Sequence, residues 1–180
     1  AEAALETLRA SPRVAVAGLS MGALLAMTLA ERHPGLVRAL VLLAPAVKLR
    51  GVGPAALRAA RHLGVFDVTP QWKKKTGLDL EDPGAVAVAP VLPRYPLKRL
   101  LDLFALQDLA RDASARLTCP SLVVAAVQDH VVDLDAVLAL QTQLPFSQRL
   151  VLQRGFHQVL RDTDRAQAIA AVAAFLESLA

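Results

Sequence analysis

Residues 14–34 read VAVAGLSMGALLAMTLAERHP, an apolar run that turns into a helical pattern with Gly-Leu-Ser-Met-Gly at the change of period. Val14 to Ala17 has no polar side chain, the pattern of a strand buried on both faces of a parallel sheet. From Ser20 to Arg32 the spacing is helical, and His33-Pro34-Gly35 stops it. VRALVLLAP, residues 37–45, is a second buried strand. Two such strands around one helix make a right-handed crossover unit, and that unit commits the chain to an α/β architecture.

Gly18-Leu19-Ser20-Met21-Gly22 matches G-x-S-x-G where a strand meets a helix. So tight a turn is expected to leave no room for side chains two positions either side of the serine, hence glycine at both Gly18 and Gly22. Ser20 is forced into a strained conformation, its hydroxyl projecting beyond the carboxyl ends of the strands. There it meets a helix N-terminus, whose free N–H groups favour developing negative charge. The N–H of Met21 is the candidate oxyanion donor.

A serine nucleophile needs a base, and the base an orienting acid. The four histidines are His33, His62, His130 and His157. His33 stands in a helix stop and His62 in a helical pattern, both expected at the surface. His157 follows the strand RLVLQ (149–153), ahead of the last helix, and Asp129 follows the strand SLVVAAV (121–127). Both are expected at the sheet edge that carries the elbow, in the chain order serine, acid, histidine. Asp133 and Asp135 read as the start of a helix at 133–143. His130 competes for the role of base but is expected to lack a carboxylate.

Residues 46–108 break the α/β rhythm. Six of the eleven prolines fall there, with the only Trp and the only Tyr and the run Lys73-Lys74-Lys75. Helices are expected at 54–63 and 97–106 and no strand, so this is a helical insertion between two strands of the sheet. A helix at 106–115 then leads back to the sheet, and the last helix spans 163–179. Residues 2–9 form a short opening helix.

With 180 residues, 54% of them hydrophobic, the chain has enough for one packed domain. The net charge of +4 is scattered, without the basic, aromatic-interleaved stripe of a nucleic-acid binder. The lysine run is a solvated patch, so membrane contact is not expected. One cysteine, Cys119, excludes an internal disulfide and is expected to be a small buried hydrophobe. Residues 14–30 are uncharged but change period midway, which separates them from a membrane span. Without a visible secretion signal, the expected location is cytoplasmic.

At these residues the chain resembles the α/β-hydrolase superfamily, above all small bacterial carboxylesterases and monoacylglycerol lipases. The segments VAGLSMGALLAMTLAERHP, PSLVVAAVQDHVVD and LQRGFHQVLRDTDRAQAIAAVAAFLESL carry the resemblance, with YPLKRLLDLFALQDL similar to the end of a helical cap. It implies a mostly parallel sheet with helices on both faces, formed by residues 1–45 and 109–180, and a cap at 46–108 over an acyl pocket. It implies Ser20 as nucleophile, His157 as general base, Asp129 as its partner and Met21 as backbone oxyanion donor. The implied substrate is a small ester with an apolar acyl chain, cleaved without metal or cofactor. A thioesterase, C–C hydrolase, haloperoxidase or acyltransferase shares that triad, and a non-catalytic domain is the reading from another class. Only one helix precedes the elbow, where the family has several strands and a second oxyanion loop; the chain is expected to be the C-terminal part of the fold, its N-terminal strands absent.

Overall fold

The apolar runs become a parallel sheet of four strands: β1 (Val14–Leu19), β2 (Val37–Leu43), β5 (Ser121–Ala126) and β6 (Ser147–Leu152), in the order β1-β2-β5-β6. The computed structural model describes residues 1–11, 13–51, 54–65, 72–74, 78–90 and 94–179. Helix α1 (Glu2–Glu6) precedes β1, and α2 (Met21–Arg32) crosses from β1 to β2. Between β2 and β5 lie α3 (Pro54–His62), β3 (Trp72–Lys74), α4 (Pro83–Val88), β4 (Arg94–Pro96) and α5 (Arg99–Ser114). Helix α6 (Leu134–Gln143) joins β5 to β6, and α7 (Arg165–Glu177) follows.

The two central strands show why their sequences lack alternation. Leu40 and Leu42 of β2 and Val123 and Ala125 of β5 face a cluster built with Leu24 and Met27 of α2, Ala110 of α5 and Leu140 of α6. Their neighbours Val41, Leu43, Leu122 and Val124 face the opposite cluster, with Ala168 and Phe175 of α7. Both faces are covered, so every second position must be apolar in both phases. β1 is an edge strand, pairing with β2 alone among the described residues, and Leu19 at its end is exposed.

The insertion differs from expectation in three ways. β3 and β4 pair antiparallel, Trp72 opposite Pro96 and Lys74 opposite Arg94, although no strand was expected. Three residues are too few to show a period, and a lysine-rich strand lacks the usual composition. Helix α4 was also not foreseen; Asp82 caps it by accepting from the N–H of Gly84 and Ala85, with Pro83 at the first position. The helices expected at 97–106 and 106–115 are a single helix, α5, which runs through position 108. Leu100, Leu101 and Phe104 of α5 pack with Leu49 and Ala60, whereas Ala110 belongs to the sheet core. The change of buried face makes one helix read as two. Trp72 is exposed on β3, and Lys75 of the lysine run lies outside the described residues. Among the described residues no helix is long and apolar enough to cross a membrane.

Leu24 is fully buried between α2 and the sheet. Truncation there leaves a cavity in a two-sided core, so Leu24→Ala is expected to lower unfolding stability by about 2–5 kcal/mol. Urea denaturation checks this: the midpoint should fall with the slope unchanged.

Candidate active site

Ser20 lies between β1 and α2 with φ 58° and ψ −117°, a backbone strain that a non-glycine residue holds only when its surroundings enforce it. Its N–H donates to the carbonyl of Leu43 at 2.8 Å, and its carbonyl accepts from the N–H of Ala23 (3.1 Å) and Ala46 (3.2 Å). The turn is therefore stitched both to its own helix and to the end of β2. A Cβ on Gly18 would stand 2.2 Å from the carbonyl oxygen of Gly22 and 2.5 Å from the N of Ala23. No side chain fits there. Gly22 is different from expectation: beyond its own helix and chain neighbours, no heavy atom lies within 4 Å of where its Cβ would be. The crowding is one-sided because the first turn of α2 lies over the strand, not the strand over the helix. Met21 opens α2 and is 51% exposed.

Asp129 follows β5 and His157 follows β6, and both side chains are buried. His157 Nδ1 lies 2.8 Å from Asp129 Oδ2. The other oxygen, Oδ1, accepts from the N–H of Val131 and of Val132, each at 2.8 Å, so the carboxylate has one free direction and it is taken by the imidazole. The acid loop is held from the side by residues 48–50: Arg50 donates its N–H to the carbonyl of Val131 (2.9 Å) and its guanidinium to the carbonyl of Asp129 (2.7 Å). Burial pushes the Asp129 carboxyl up, but the hydrogen bond and charge of His157 and the two amides outweigh it and hold it below the usual aspartate range.

The loop carrying His157 is tied down by Asp162, which is 1% exposed. Its carboxylate accepts from the N–H of Phe156 (2.6 Å), Asp82 (2.8 Å), Glu81 (2.9 Å) and Thr163 (2.9 Å). Burial raises this carboxyl as well, yet the amides, that of Glu81 foremost, leave it lowered. Gly155, at φ +79°, lets the loop pass against Asp162, whose Cβ would be 3.1 Å from a side chain there.

The family described as serine aminopeptidase, S33, matches residues 2–164. The chain belongs to that family of hydrolases. Among curated relatives, the protein named "Putative carbamate hydrolase RutD" of Klebsiella pneumoniae (strain 342) is 29% identical over 160 residues, covering 81% of this chain and 59% of its own length. The "Thermostable monoacylglycerol lipase" of Bacillus sp. (strain H-257) is 32% identical over 117 residues, covering 65% of this chain and 43% of that protein. The chain thus spans about three fifths or less of the length of these relatives. Its fold matches the monoacylglycerol lipase of Paleococcus ferrophilus with a TM-score of 0.82 at 19% identity, over 99% of this chain and 73% of that one. A metagenome-derived lipolytic enzyme, from a study of LipS and LipT, matches with a TM-score of 0.85 at 21% identity, over 98% of this chain and 70% of that one. The fold is that of the α/β-hydrolases, and this chain spans about 70% of the length of these two structures.

Within this S33-family fold the remaining candidates separate clearly. His62 is exposed on α3, and His33, partly buried, caps the end of α2. His130, expected to lack a carboxylate, has one: its Nδ1 lies 2.7 Å from Asp79 Oδ1. That acid is 51 residues away in the insertion, a tertiary pairing that no local pattern announces. The His130 side chain is nevertheless 57% exposed against 11% for His157. Asp133 caps α6 by accepting from the N–H of Ala136, as expected, and also pairs with Lys48 at 2.8 Å. Cys119 is only partly buried, against expectation, because it precedes the strand and packs at the core's margin; burial pushes its thiol up. A cavity of about 440 Å³ lined by Val47, Leu49, Phe104, Gln107 and Leu140 includes none of Ser20, Asp129 and His157. No group of three or more metal-ligating side chains among the described residues could hold a metal ion.

Two measurements check this description. Gly18→Ala is expected to cost about 3 kcal/mol through the backbone clash, whereas Gly22→Ala should leave stability unchanged or raise it by up to about 1 kcal/mol; paired denaturation curves separate them. Asp129 and Asp162 have folded-state pKa values below their unfolded ones. Their stabilisation is therefore fully present above about pH 4 and is lost as the pH falls through the lowered values. The melting temperature should drop as the pH falls below about 4, and Asp162→Asn should flatten that drop while lowering the plateau.

Proposed function

We propose that the protein is a serine hydrolase of carboxylic esters, acting through Ser20, His157 and Asp129 with an acyl-enzyme intermediate. The observation that carries this reading is the buried 2.8 Å contact between His157 Nδ1 and Asp129 Oδ2, at the same sheet edge as the strained Ser20. With Nδ1–H donated to the carboxylate, Nε2 is the nitrogen left to accept a proton. Ser20 Oγ attacks the ester carbonyl as His157 Nε2 takes its proton, and the imidazolium so formed is stabilised by Asp129. The Met21 N–H, at the start of α2, donates to the oxyanion. His157 then protonates the departing alkoxide, and water, deprotonated by the same nitrogen, releases the acid.

Residues 46–108 serve as the cap over the acyl site in this reading, with the apolar residues beyond β2 selecting the acyl chain. The partner is accordingly a small ester with an apolar acyl group. Carbamates are the second substrate class to try, because the relative with 29% identity is named for carbamate hydrolysis and the same attack on a carbonyl serves both.

Ser20→Ala should lower turnover of p-nitrophenyl esters by about 10⁴-fold or more while leaving the fold intact. Comparing p-nitrophenyl acyl esters with the matching carbamates assigns the preference. Undiminished hydrolysis in the alanine variant sinks the proposal.

A further inference from the structure

We propose that Asp79 is a positioning residue for His157: a carboxylate of the insertion that locks the acid loop and the histidine loop together. The inference rests on His157 being the base. Asp79 Oδ2 accepts from the backbone N–H of His157 at 3.0 Å and from that of His130 at 3.1 Å. Its Oδ1 takes the ring Nδ1 of His130 at 2.7 Å. His130 is the residue next to Asp129, so one side chain grips the backbone on both sides of the Asp129–His157 contact. The His130 ring in turn meets the Phe156 ring edge-on, with centroids 4.4 Å apart, which closes the clamp.

The grip is rigid because the segment that carries Asp79 is itself fastened. Glu81 Oε2 accepts from the N–H of Gly155 at 2.8 Å, and the amides of Glu81 and Asp82 donate to Asp162. Asp129 is oriented independently, by the amides of Val131 and Val132. Among the described residues, Asp79 is the acceptor of the His157 N–H, while Phe156 before it is held by Asp162. The sheet supplies the loop, and the insertion supplies its final placement. A misplacement on the order of 1 Å at a catalytic group can cost about 10²-fold in rate.

Asp79→Ala removes every acceptor, while Asp79→Asn keeps an oxygen for the two amides. The alanine variant should lower kcat for a p-nitrophenyl ester by about 10- to 100-fold with KM changed by less than about threefold, whereas the asparagine variant stays within about fivefold of the parent. The far-downfield proton resonance of the His157–Asp129 hydrogen bond should broaden or vanish in Asp79→Ala and persist in Asp79→Asn, each checked for folding by its thermal melt. An alanine variant with parental kcat and a sharp resonance overturns the proposal. So does an equal loss in both variants. In the unmodified protein the His157 amide hydrogen should exchange slowly; rapid exchange refutes the role even where the alanine variant does not fold. Resonance and exchange are read without substrate, so they decide on Asp79 separately from the esterase reading, which Ser20→Ala decides.

Discussion

The Ser20 turn at the carboxyl edge of this sheet depends on the close approach of two backbones at Gly18. The start of α2 lies so near the end of β1 that no Cβ fits between them. That contact turns the chain through the elbow and leaves Ser20 in a left-handed conformation costing on the order of 1–3 kcal/mol. The strain persists because the Ser20 N–H and carbonyl are both engaged, with Leu43 on one side and with Ala23 and Ala46 on the other. Ala44, the next residue after β2, is itself at φ 40°, with its N–H bonded to the carbonyl of Val124 at 2.7 Å. Two strained residues at the ends of neighbouring strands are thus each held by a backbone hydrogen bond to the next strand, Ser20 to Leu43 and Ala44 to Val124.

The loops after β5 and β6 are organised differently. They hold no left-handed non-glycine residue; carboxylates gather their backbone N–H groups. Asp129, Asp162 and Asp79 each accept two or more amides: Asp129 those of its own loop, Asp162 those of the histidine loop and the insertion, and Asp79 one from the loop after β5 and one from the loop after β6. A carboxylate in this role satisfies several donors with one side chain and is strengthened by charge. At Asp129 and Asp162, whose carboxyls are held below the usual aspartate range, it also makes the edge acid-sensitive, since protonation removes acceptor strength where main chain is buried.

Much of this was readable in the sequence, for stated physical reasons. Apolar runs located β2 and β5 because both their faces are covered; β1, apolar throughout and expected to be buried on both faces, leaves Ala15 and Ala17 exposed at the sheet edge, and β6 opens on the polar Ser147, Gln148 and Arg149. The glycine-flanked serine located the elbow because its sterics are local. The positions of Asp129 and His157 after successive strands brought both residues to one edge. What could not be read was whatever depends on the partner of a contact. The motif treats Gly18 and Gly22 alike, yet Gly18 is the one pressed against the backbone of the next turn. Asp79 gave no local signal, since the residues it binds lie 51 and 78 positions away. Asp82-Pro83 did carry a capping signal for α4. The single course of α5 was hidden because its buried face changes along its length.

Helix α5 begins among residues of the insertion and ends in the sheet's core, without a joint between. Gln107, at its middle, donates to the carbonyl of Ala46 at 2.6 Å, and the N–H of Ala46 donates to the carbonyl of Ser20. A strut of this kind has no hinge at the border where the fold changes character. Anyone grafting a foreign insertion onto this scaffold must therefore cut before Arg99 or after Ser114, not between them. A graft that cuts within the helix would sever the beam on which the serine's own backbone leans.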